Sequence, residues 1–101
     1  MSLSTHVLDN ASGEPAGGVP VRLEREGRVV AAGVTGPDGR LRVAEELPPG
    51  RYRLVFDTAA YLGPGAFFPE ACVVFQLADP DRHLHLPLLL SPFGYTTYRG
   101  S

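Results

Sequence analysis

Cysteine is nearly missing from this chain of 101 residues, where Cys72 stands alone. A single thiol has no partner for an internal disulfide, which agrees with a reducing compartment and makes the cytoplasm the expected location. No apolar run exceeds a few residues, so no membrane span is expected. The start, Met1-Ser2-Leu3-Ser4, has neither the basic region nor the apolar stretch of a secretory signal, and no such cleavage is expected. Excess basic charge is missing too. Nine Lys plus Arg against eleven Asp plus Glu give a net charge of -2, with no positive stripe to hold phosphates, so nucleic acid is excluded as a partner. There is no Gly-x-Ser-x-Gly elbow, and a serine-histidine-aspartate triad is not indicated.

What remains is ordinary globular material, 44% hydrophobic and 20% charged, which argues against disorder and coiled coils. The length suits one domain over residues 1–101. Ten prolines and twelve glycines fall mostly at junctions between short segments of period-two alternation. Leu3 to Leu8 reads as a strand that puts His6 on one face with Ser4 and Leu8. Val19, Val21 and Leu23 alternate with Pro20, Arg22 and Glu24; Pro20 suggests an edge or a strand end. Glu26-Gly27 turns the chain into Arg28 to Val34, Gly36-Pro37-Asp38-Gly39 turns it again, and a short strand follows at Leu41 to Val43.

Arg51 to Asp57 reads as a central strand with Tyr52, Leu54 and Phe56 on one face. Asp57-Thr58 before Ala59-Ala60-Tyr61-Leu62 offers an N-cap and a short helix, ended by Gly63-Pro64-Gly65. Ala71 to Leu77 is the next strand, in which Cys72 is taken as a small buried apolar residue. About eight short strands and one helix predict an all-β antiparallel sandwich.

Chemistry concentrates near the end. In a strand at His83 to Ser91, His83, His85 and Pro87 share one face while Leu84, Leu86 and Leu88 take the other. The Ser91-Pro92-Phe93-Gly94 turn leads into a strand at Tyr95 to Tyr98. Tyr98-Arg99-Gly100-Ser101 then brings a phenol, a guanidinium and a hydroxyl together, which reads as a placed terminus. Three histidines are the natural candidates for general acid or base work near neutral pH. A His-x-His pair can also chelate a metal, but catalytic zinc normally takes three protein ligands, and His6 would supply the third only through the fold. Arg40, after the Pro37-Asp38-Gly39 turn, carries a planar fork of donors, but its position alone does not set it apart from the chain's other arginines.

The ending Tyr98-Arg99-Gly100-Ser101, the His-x-His-x-Pro-Leu-Leu-Leu-Ser run at His83 to Ser91 and the block Leu3-Ser4-Thr5-His6-Val7-Leu8-Asp9 together resemble the 5-hydroxyisourate hydrolases, the transthyretin-related proteins of urate breakdown. The resemblance implies a transthyretin-like (prealbumin-like) sandwich of two four-stranded sheets with one short helix. It implies a homotetramer, a dimer of dimers with sites at the dimer-dimer interface. The implied reaction is hydrolysis of 5-hydroxyisourate to 2-oxo-4-hydroxy-4-carboxy-5-ureidoimidazoline, a cyclic-amide opening that needs no metal or other cofactor. The catalytic residues it implies are His6, Arg40, His85 and Ser101, with His6, Arg40 and Tyr98 contacting substrate and His83 and Arg99 in support.

The loops at Glu24 to Gly27 and Gly63 to Phe67 are short for that resemblance, and Leu84 and Leu86 replace an aromatic and a β-branched residue on the core side. Two rivals share the scaffold: a non-enzymatic transthyretin-type carrier of small ligands and a structural prealbumin-like module. Gly13-x-Pro15-Ala16, Thr35-x-x-Asp38-Gly39 and Gly50-x-Tyr52 occur in such modules as well. Neither rival accounts for the histidines and the terminal motif.

Overall fold

The computed structural model describes residues 2–79 and 81–100. Strand-forming alternation yields β1 (Leu3–Asp9), β2 (Glu14–Pro15), β3 (Pro20–Arg25), β4 (Arg28–Val34), β5 (Arg40–Ala44) and β6 (Gly50–Phe56). A one-turn helix, α1 (Ala59–Leu62), precedes β7 (Ala71–Leu77), β8 (Leu84–Ser91) and β9 (Gly94–Thr97). The β3–β4 hairpin turns on Glu26 (φ 51°) and Gly27 (φ 78°), two left-handed residues in succession, which matches the twist of the flanking strands. Thr58 occupies the N-cap position of α1 without a side-chain cap; Asp57 Oδ1 instead accepts from the Ala60 N–H at 3.2 Å. Among the described residues no helix is long and apolar enough to cross a membrane, a statement about helices alone.

Two sheets face each other. One runs β4-β3-β6-β7, so β6 is central, as its alternation suggests. Pro20 opens an interior strand, which resolves the edge-or-end alternative in favour of a strand end. The other sheet runs β2-β1-β8-β9 with β5 also on β1, which makes five strands where four were expected. The extra strand is the two-residue β2, and it shares a long neighbour with β5. Leu3 to His6 of β1 pair with β5, and Leu8 and Asp9 pair with β2. Between them the Val7 N–H donates to the Gly39 carbonyl at 2.8 Å and the Ala16 N–H donates to the Val7 carbonyl at 2.9 Å.

A second departure concerns direction. The expected sandwich is antiparallel throughout, but β1 and β8 run parallel, from Leu3 beside Leu84 to Asp9 beside Leu90. Parallel neighbours require a long crossover, and everything between these two strands serves as one. Alternation along a strand cannot reveal its partner's direction.

The inward faces form the core: Leu3 and Val7 of β1, Val21 and Leu23 of β3, Tyr52, Leu54 and Phe56 of β6, and Leu84, Leu86, Leu88 and Leu90 of β8. Thr5 lies on the same buried side and donates its hydroxyl to the Leu86 carbonyl at 2.5 Å. Cys72 is a correction. It alternates with core-facing Ala71 and Val73, points outward and is half-buried, with an Arg53 guanidinium nitrogen 3.5 Å from its sulfur.

Thr35 is 4% exposed; its hydroxyl accepts from the Val19 N–H at 2.9 Å and donates to the Ala16 carbonyl at 2.8 Å. Thr35→Val keeps the shape and strips both partners, so urea unfolding should show a loss of about 2–4 kcal/mol. A midpoint equal to wild type would mean that Thr35 does not tie these two segments together.

Candidate active site

The site grows from the outward face of three adjacent strands. In the β5–β1–β8 register His6 lies between Arg40 and Pro87, and Ser4 lies between Arg42 and His85. Partners across a ladder share a face, so two motifs from opposite ends of the sequence and the arginine from its middle meet on one surface. Leu3, Thr5 and Val7, the alternate residues of β1, are fully buried on the other side.

Arg40 owes its position to the preceding turn. Gly39 sits at φ 77°, and a Cβ there would come within 2.4 Å of the Val7 carbonyl oxygen, so both conformation and space demand glycine. Asp38 Oδ1 accepts from the Arg40 N–H at 3.0 Å and shapes the turn from within. The same turn holds a histidine: His6 Nε2–H donates to the Asp38 carbonyl at 2.9 Å. A carbonyl only accepts, so His6 carries a proton on Nε2.

His83 and His85 are joined through a serine that sequence reasoning gave no role. Ser4 Oγ lies 2.9 Å from His83 Nε2 and 2.8 Å from His85 Nδ1, and Ser2 Oγ meets the remaining ring nitrogen, His83 Nδ1. Ser4, Thr5, Arg40, Leu41, His83 and His85 line an open groove of about 290 Å³. His83 is exposed and His85 half-buried. Burial pushes the His85 pKa below the ordinary histidine value, and the neighbouring His6, Arg40 and His83 push it the same way. His85 is therefore held neutral, with a lone pair available. Among the described residues no three His, Cys, Asp or Glu side chains gather as a metal site. A larger groove of about 480 Å³, lined by Arg25, Arg51, Arg53 and Glu24 among others, contains no histidine and lies on the other sheet.

The tail returns to the site through its backbone. The Gly100 N–H donates to the His85 carbonyl at 2.8 Å, in the same register that pairs Thr97 with Leu88. Tyr98 and Arg99 span the gap opposite Pro87, which has no N–H to offer. A Cβ on Gly100 would lie 2.9 Å from the His85 ring, so glycine is what lets chain and imidazole lie this close.

Of the residues singled out from sequence, His6, Arg40, His83 and His85 come together. Tyr98 is 54% exposed, Arg99 is exposed, and neither lines the groove. Ser101 lies outside the described residues. Sequence reasoning missed Ser4, the Asp38 carbonyl and the packing reason for Gly100. The one available signal for Ser4 was its place two residues before His6.

Comparison with known proteins covers almost the whole chain. Residues 3–100 match the HIUase/Transthyretin family. The 5-hydroxyisourate hydrolase of Mus musculus is 43% identical over 98% of this chain and 94% of its own length. The uric acid degradation bifunctional protein TTL of Arabidopsis thaliana is 42% identical over 98% of this chain, which spans only 37% of that longer protein. Among solved structures, 5-hydroxyisourate hydrolase from Klebsiella pneumoniae superposes with a TM-score of 0.90 at 44% identity, covering 99% of this chain and 98% of the other.

Nuclear magnetic resonance titration of the imidazoles should place the His85 midpoint below the usual value of about 6.5. The unfolded chain then binds more protons than the folded one between the lowered midpoint and about pH 6.5, so His85 makes folding stability rise with pH across that window. A midpoint at or above the ordinary value would remove desolvation as the governing effect.

Proposed function

This chain belongs to the HIUase/transthyretin family, and we propose that its histidine groove is the active site at which it hydrolyses 5-hydroxyisourate. The observation that carries the reading is the meeting of a neutral-held His85, an oriented His6 and Arg40 on one face of three strands. A sandwich of this family accommodates carriers as well as hydrolases, so the scaffold does not choose between them. A site that pairs a base with a fixed cation favours hydrolysis.

Water attacks the ring amide carbonyl of the N1–C6 bond. His85 and His6 orient that water, and His85 takes its proton, since a lowered pKa keeps it unprotonated at neutral pH. The Arg40 guanidinium binds the ring and stabilises the oxyanion as charge builds on the attacked oxygen. Collapse breaks the C–N bond, His85 returns its proton to the leaving nitrogen, and the product is 2-oxo-4-hydroxy-4-carboxy-5-ureidoimidazoline. Tyr98 contacts substrate, Arg99 supports the terminus, and Ser101 positions groups in the site; the Gly100–His85 bridge supports bringing the chain's end into this machinery. No cofactor takes part.

Residues 1–101 act as one hydrolase domain. The chain works as a homotetramer, a dimer of dimers, with its grooves at the dimer-dimer interface along an open channel. The free Cys72 suits a reducing, cytoplasmic setting. Sedimentation should give a mass four times that of one chain, and a monomer with full activity would sink the shared-interface site.

Urate oxidised by uricase in the cuvette supplies the substrate, and its ultraviolet band should decay faster when this protein is added. His85→Asn and Arg40→Ala should each cut turnover at least about a hundredfold with circular dichroism unchanged. The rate should fall toward acid pH as His85 gains a proton. Wild-type turnover in either variant would remove that residue from the mechanism.

A further inference from the structure

We infer that Ser4 and His83 form a relay that moves the positive charge arising at His85 out to the exposed His83 ring, and that Ser4 fixes which His85 nitrogen receives the proton of the attacking water. The inference rests on the hydrolase reading for its chemistry, and on the hydrogen-bonded series Ser2, His83, Ser4, His85 for its geometry.

A serine hydroxyl has one proton, so Ser4 can donate to only one of the two rings and must accept from the other. If Ser4 donates to His85 Nδ1, the His85 proton sits on Nε2 and the ring has no basic nitrogen left. In the opposite sense, His85 Nδ1–H donates to Ser4, Ser4 O–H donates to His83 Nε2, and His83 Nδ1–H donates to Ser2. Only this second sense leaves His85 Nε2 as a base. It also makes the tautomer of each ring a consequence of the other.

The proton count gives the series its purpose. Opening a cyclic amide takes one proton from the attacking water before the leaving nitrogen can accept one, so a positive charge must be held in the site between the two events. His85 is a poor place to hold it. The ring is half-buried, and Arg40 from β5, His6 from β1 and His83, just ahead of β8, all disfavour a charge on it, with Arg42 across from Ser4.

As His85 Nε2 accepts the proton of the attacking water, its Nδ1 proton passes to Ser4 Oγ and the Ser4 proton passes to His83 Nε2. His85 ends neutral with its proton on Nε2, Ser4 is restored, and the charge resides on His83. That ring is exposed, where water solvates an imidazolium. As the C–N bond breaks, His85 Nε2–H protonates the leaving nitrogen and the series reverses. His83 Nε2–H passes to Ser4 and the Ser4 proton to His85 Nδ1, which resets the first tautomer; the product acid then ionises directly to solvent.

The test combines a spectrum with kinetics on the full chain. At about pH 8, nitrogen-15 spectra should show wild-type His85 protonated on Nδ1 and bare on Nε2. Ser4→Ala should shift it toward the Nε2–H form, and Ser4→Thr, which keeps the hydroxyl, should retain the wild-type form. Ser4→Ala and His83→Leu should each lower kcat at least about tenfold with KM within about twofold, and Ser4→Thr should stay within about twofold of wild type. Rates in mixtures of light and heavy water should curve for wild type, where several protons move together, and become linear in Ser4→Ala.

A wild-type His85 protonated on Nε2, or an unchanged kcat in Ser4→Ala, overturns the relay. Failure of the wild type to speed decay of 5-hydroxyisourate overturns the hydrolase reading instead, and the nitrogen-15 spectrum still decides the Ser4 linkage.

Discussion

Seven successive parallel pairs, Leu3 with Leu84 through Asp9 with Leu90, lock β1 against β8. That ladder is the constraint from which the site follows. It sets Ser4 beside His85 and His6 beside Pro87, and a slip of one residue would turn the histidine face into the core. The buried leucines of β8 and the buried Leu3, Thr5 and Val7 of β1 make such a slip costly, so the histidine face is fixed by the packing behind it. Function here is held in register by hydrophobic burial.

The second fixed relation is between β1 and the turn before β5. Gly39 offers its carbonyl to Val7, and Asp38 offers its own to His6. One four-residue turn therefore anchors the strand, orients an imidazole and launches Arg40. Backbone groups do much of this, which explains why a site of modest size has few side chains whose sole duty is support.

The same distinction decides how much could be read from the sequence. Strand alternation, turn residues and the one-turn helix were legible because each is local; His83 and His85 stood out as a close pair of imidazoles, while His6 and Arg40 were singled out through the motifs that carry the family resemblance. The parallel sense of β1 and β8 was not legible, since a strand's alternation is the same whichever way its neighbour runs. Nor was the fifth strand, only two residues long and formed by pairing rather than by propensity. Ser4 went unassigned because a serine two residues from a histidine is unremarkable until His83 and His85 close on it from another strand. Cys72 was misjudged on residue type, when its place in the alternation already put it outside the core. Tyr98 and Arg99 show the converse: a motif identifies residues, but the turn of chain opposite Pro87 decides where they stand.

The composite rim of the β1 sheet has a further effect. Because β5, the Gly39 carbonyl, the Ala16 amide and β2 occupy successive stretches of one flank, that side of β1 presents no continuous row of vacant backbone groups. An intruding chain seeking to extend the sheet there would find every docking point taken by a different piece of the molecule. Patchwork along this flank thus guards against runaway strand addition beside the histidine groove.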